Sequence, residues 1–181
     1  MNKRQNRDRR FNQMVDDTIN YGEILKHLEN CRDDLTLLTL KGHLVAENLL
    51  ESILLGLLDV SEAPKRYGKK GKMVKAMPDF YHKLMLVKAA VCQREPGPNA
   101  DFLIVIEQLN DMRNQLAHNL ENQADIESGV RRLIENYHRN ADTNADWKNE
   151  SLPVQLRKCL YGICQFLYRV RAHFFRLSHS A

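Results

Sequence analysis

The stretch NADFLIVIEQLNDMRNQLAH, residues 99–118, decides how the chain folds. Phe102, Leu103, Val105, Ile106, Leu109 and Met112 recur at helical spacing over a run too long for a strand, so a helix is expected from about Asn99. The turn EPGPN at 95–99 precedes it. Upstream of that turn, Pro78 and Asp79 open a helix carrying Phe80, Leu84, Leu86, Val87 and Val91. Further back, Asp33 or Asp34 can cap a long helix reaching about Leu57. Its apolar set is Leu37, Leu40, Leu44, Leu50, Ile53, Leu54 and Leu57. Gly42 in its middle costs about 1 kcal/mol against Ala, which points to close helix contact there. Before it, Val15, Ile19, Tyr21, Leu25 and Leu28 mark a short helix.

Downstream, Ile126, Val130, Leu133, Ile134 and Tyr137 mark a helix from about Asp125. The polar segment RNADTNADWKNES, 139–151, reads as a loop despite Trp147, and a last helix runs from about Pro153 to Leu177. Strands in strict alternation are missing, and no internal repeat is seen. The 181 residues suit one compact core. The expected fold is therefore all-α, a single-domain bundle of five or six helices over residues 15–181, preceded by a basic segment at 1–14.

The formal charge is +4 with a pI near 8.9, and its distribution says more than its sum. Arg4, Arg7, Arg9 and Arg10 crowd the start beside Lys3. Lys65, Arg66, Lys69, Lys70, Lys72 and Lys75 crowd SEAPKRYGKKGKMVKAM, 61–77, a loop broken by Pro64, Gly68 and Gly71. Such runs gather polyanions through phosphate contacts, though a solvated tail and loop would look the same. Cys31, Cys92, Cys159 and Cys164 match no zinc spacing, and no apolar run of membrane-spanning length or secretory signal is seen. The chain reads as cytosolic, with reduced and mostly buried thiols and no membrane partner.

Arg113-Asn114-Gln-Leu-Ala-His118 carries the candidate chemistry. At about 100° per residue, Asn114 and His118 share a face one turn apart, while Arg113 lies about 140° from His118 and must reach round. An imidazole, an amide and a permanent cation are the groups that metal-free RNA cleavage needs. Histidine moves protons near neutral pH, and arginine holds a phosphate through its planar fork. Spacing by itself would equally describe a surface cation and a capping histidine. His43 and Glu47 share a face four residues apart, either as a supporting carboxylate near this edge or as a buried polar pair keeping helices in register. Two ligands do not make a metal site, and no phosphate loop, nucleophile elbow or Mg²⁺-binding carboxylate cluster appears, so no metal or cofactor is expected. Arg157, Lys158, Arg169, Arg171 and Arg176 sit among aromatics on the last helix, which is read as an inner aromatic face with cations outside.

RNQLAH at 113–118, preceded by FLIVIEQLNDM, resembles the motif of the HEPN superfamily. LKGHLVAENLLESIL at 40–54 and FYHKLMLVKAA at 80–90 look like earlier core helices of a bacterial branch. That branch is similar to mannitol operon repressor-like proteins and to toxin-like ribonucleases, and the resemblance covers roughly residues 33–140. It implies a HEPN-like bundle and a homodimer whose two motifs face each other across a shared cleft. One His would then act as base and the other as acid. The expected activity is metal-independent endoribonuclease action on RNA, with Arg113, Asn114 and His118 catalytic and Glu47 in support. A toxin or phage-defence role, with an antitoxin or complex partner, is implied as well. A non-catalytic regulator that binds protein or nucleic acid through the same fold is the alternative, and a plain scaffold a third.

Overall fold

The computed structural model describes Lys26, residues 28–57, 79–94, 98–118, 123–141, Trp147 and residues 149–178; at 94, 98–100, 118 and 175–178 it describes backbone alone. These residues form five helices and no strand: α1 Leu35–Leu57, α2 Phe80–Arg94, α3 Pro98–His118, α4 Gln123–Asn140 and α5 Leu152–Ser178. The all-α expectation holds for them, and each of the five starts within two residues of the position expected from sequence. The basic start, most of the helix expected at 15–28 and the whole of the loop expected at 61–77 lie outside the described residues. Arg4, Arg7, Arg9, Arg10, Lys65, Arg66, Lys69, Lys70, Lys72 and Lys75 lie there too.

Local chemistry sets the helix starts. Asp34 Oδ1 accepts the Leu37 amide at 2.9 Å, and Asp79 Oδ1 accepts the His82 amide at 3.0 Å. Each aspartate thereby satisfies an amide that has no partner within its own first turn. His82 Nδ1 adds a second bond to Asp79 Oδ1 at 2.8 Å, and these bonds hold the Asp79 carboxyl below its usual pKa. Arg32, at φ 49°, makes the left-handed turn before α1, and Arg157 of α5 donates to its carbonyl.

α1 packs along α5, and α3 lies between α2 and α4 while also touching α1. The α1–α5 contact runs over small residues. A Cβ on Gly42 would stand 2.5 Å from Leu160 Cδ2, so the close approach expected at Gly42 is present. Leu38, Leu49, Leu50, Ile53, Leu103, Ile106, Leu109, Leu156 and Leu160 are fully buried in one continuous core.

Two departures from the sequence reading stand out, one in the leucines of α1 and α2 and one on α5. Leu37, Leu40 and Leu44, placed in the apolar set of α1, are 37%, 39% and 57% exposed. Leu35, Leu38, Val45, Ala46 and Leu49 take the buried side instead. Leu86 on α2 is likewise exposed. On α5, Arg171 is buried and Tyr168 exposed, with the guanidinium 5.8 Å from the Tyr168 ring, so the division into inner aromatics and outer cations fails at that turn. Trp147, within the expected loop, is half-buried and stacks on Tyr137 with ring centroids 5.5 Å apart.

Candidate functional site

The site is built around the last two turns of α3, where they pass α1 and the start of α2. Asn110, one turn before Asn114, is buried against α1, and its Oδ1 lies 3.1 Å from His43 Nε2. An amide oxygen only accepts, so the imidazole carries its proton on Nε2 and donates it. Phe80, the first residue of α2, stacks on His43 with centroids 4.2 Å apart. Burial lowers the pKa of His43, and the positive charge of Arg113 pushes the same way. The Asn110 bond and the negative charge of Glu47 oppose this without overturning it. His43 is therefore neutral at pH 7, held between two opposite charges.

Arg113 and Asn114 are exposed, and Arg113 Nη1 donates to Asn114 Oδ1 at 3.1 Å. The guanidinium and the amide of the motif thus meet directly. His118 closes α3 as its last residue, one turn beyond Asn114 on the same face, and its side chain is outside the described set.

Glu47 sits near this edge but is occupied elsewhere. Lys83 of α2 is buried and donates to Glu47 Oε1 at 3.1 Å and to Glu51 Oε2 at 3.0 Å. Burial works against the ammonium, but the two carboxylates outweigh it and hold Lys83 above the ordinary lysine pKa. Glu47 and His43 are therefore not paired with each other by hydrogen bonds. Each is tied to a different helix, and together they lock α1 to α2 and α3.

Asn110 and Lys83 were not singled out from sequence. Their signals were a lone amide and a lone cation at i+3 or i+4 positions of otherwise apolar faces. Their partners lie 67, 36 and 32 residues away and could not be named from spacing.

The geometry of α1 and α2 also explains the exposed leucines. Residues 37, 40, 44, 47 and 51 fall on one helical stripe. α2 covers that stripe from Glu47 onward through Lys83, but it begins only at Phe80, level with His43. Among the described residues, none of α2 covers Leu37, Leu40 and Leu44, which stay partly exposed on that side of α1.

On the other flank of α3, between it and α4, lies a cavity of about 300 Å³ to which Gln115 of the motif contributes. The cysteines of α5 offer no nucleophile: burial pushes both thiols up, Cys164 to about 12. Among the described residues no three His, Cys, Asp or Glu side chains gather as metal ligands, and no helix is long and apolar enough to cross a membrane. Comparison with protein-family models, curated proteins and solved structures finds no match to this chain.

Proposed function

We propose that the chain is a HEPN-like, metal-independent endoribonuclease that works as a homodimer. The observation that carries the reading is the exposed Arg113–Asn114 contact, one turn from the position of His118 at the end of α3. One histidine removes the proton from a ribose 2′-OH, and the 2′-oxygen attacks the adjacent phosphorus. The bond to the 5′-oxygen breaks as the second histidine protonates that oxygen, leaving a 2′,3′-cyclic phosphate and a 5′-OH. Arg113 neutralises the charge that gathers on the non-bridging oxygens, and Asn114 holds the guanidinium in place.

A single imidazole does not hold both protonation states at once, so two copies of the motif supply acid and base. A two-fold interface doubles any residue near its axis. The leucine strip of α1 supports this, since it exposes apolar surface close to the motif end of α3. The basic segments at 3–10 and 65–75 hold the RNA backbone, and a cytosolic toxin or defence role with an antitoxin partner follows from the resemblance.

The test is cleavage of mixed RNA by the wild type beside Arg113→Ala, Asn114→Ala and His118→Ala. Losses of about 10²–10⁴-fold are expected for Arg113→Ala and His118→Ala, with a smaller loss for Asn114→Ala. Full activity in all three would overturn the assignment. A folded wild type without activity would favour the non-catalytic binding module.

A further inference from the structure

The α3–α4 cavity sits against the motif on the side of α3 turned away from His43. Its bottom is apolar, made by buried Met112, Leu116 and Ile126. Its rim is polar and exposed, made by Gln115, Asp125, Ser128 and Arg132. Gly129 helps keep it open: a Cβ there would meet Met112 Cγ at 3.6 Å, an ordinary contact, so a longer side chain would fill the cavity.

This pattern suits a flat heteroaromatic ring. Ring faces leave water against the apolar bottom, while ring edges exchange hydrogen bonds with an amide, a hydroxyl, a carboxylate and a guanidinium. A cavity of about 300 Å³ stands at the small end of ligand pockets and has room for one ring system. Register ties it to the motif. At about 100° per residue, with Asn110 as zero, Asn114 lies near 40°, His118 near 80° and Gln115 near 140°. Position 118 therefore falls between the Arg113–Asn114 edge and the cavity mouth. A nucleotide whose phosphate lies at Arg113 can place its base in the cavity.

We infer that the cavity is a base-binding subsite for the nucleotide beside the scissile phosphate, an inference that rests on the ribonuclease reading. The full-length chain is titrated with the four nucleoside 5′-monophosphates and with ribose 5-phosphate, and its cleavage of oligonucleotides differing at one base is compared. At least one monophosphate binds about tenfold or more tightly than ribose 5-phosphate. Gly129→Leu, which fills the cavity, and Gln115→Ala, on its exposed rim, both remove that margin. Gln115→Ala also flattens the base preference of cleavage by about tenfold, the size of one lost base-edge contact. Equal binding of the monophosphates and ribose 5-phosphate, or a margin that survives both changes, overturns the subsite. A wild type that binds bases but cuts no RNA sinks the ribonuclease reading and leaves the cavity as a base site. Cleavage with a preference untouched by either variant does the reverse.

Discussion

Lys83 is the residue on which the candidate edge leans most. It bridges two carboxylates from one face of α1, which fixes where α2 begins and hence where His43 and Phe80 stack. Lys83→Met leaves Glu47 and Glu51 facing each other without a cation. The expected loss is about 2–3 kcal/mol, less than a fully buried pair costs because both carboxylates keep some water contact. A urea midpoint unchanged from the wild type would show that the triad carries no stability. His43 makes a second prediction at this scale. Its pKa in the folded chain is depressed, so the unfolded chain takes up a proton first as pH falls. Stability tied to His43 is complete above about 6.5, the ordinary histidine value, and declines below it until the depressed folded pKa is passed. Between pH 7 and 5 the wild type should therefore lose more stability than His43→Gln; equal losses would mean that the imidazole is not held neutral.

At the scale of helices, two glycines on the inner faces decide how closely α1, α4 and α5 approach. A Cβ on Gly162 would fall on the Tyr137 hydroxyl, and that ring is already held against Trp147 and Phe102. Gly162→Ala should lower stability by about 1–2 kcal/mol, the overpacking cost less the gain in helix propensity. Gly42→Ala meets only the tip of Leu160 and should cost less. A thermal melt that ranks them in the opposite order contradicts the packing described. Gly42 was legible in the sequence because a glycine within a leucine-rich helix signals close approach. Gly162 was not singled out, and its approach to Tyr137 of α4 shows only in the folded bundle. The helix starts were legible for a local reason: Asp34 and Asp79 cap within three residues of themselves. The buried face of α1 was not, because leucines at 35, 37, 38, 40, 44, 49, 50, 54, 55 and 57 lie on several sides of one helix. The small residues Gly42 and Ala46, which admit α5, select the face.

For the whole molecule, the leucine strip and the motif lie at the same end of the bundle, where α2 starts and α3 stops. Leu44→Glu places a charge on surface that is already 57% exposed, so the monomer should keep its melting temperature within a few degrees. If this strip is the dimer interface, sedimentation will shift the variant towards monomer, and RNA cleavage will fall with it. A variant that stays dimeric and active would move the interface elsewhere. Residues 113–118 were singled out by a resemblance alone, and the structure adds the direct Arg113–Asn114 contact and the buried Asn110–His43 pair beneath it. That pair joins residues 67 apart, and only the folded bundle shows it. The proposed cleavage leaves its mark on the product ends. Wild-type protein and His118→Ala are incubated with RNA in EDTA, and the new termini are read by mass spectrometry. The wild type should give 2′,3′-cyclic phosphate and 5′-OH ends and His118→Ala none; intact RNA with folded wild type, or the same ends from both proteins, would contradict the proposed chemistry.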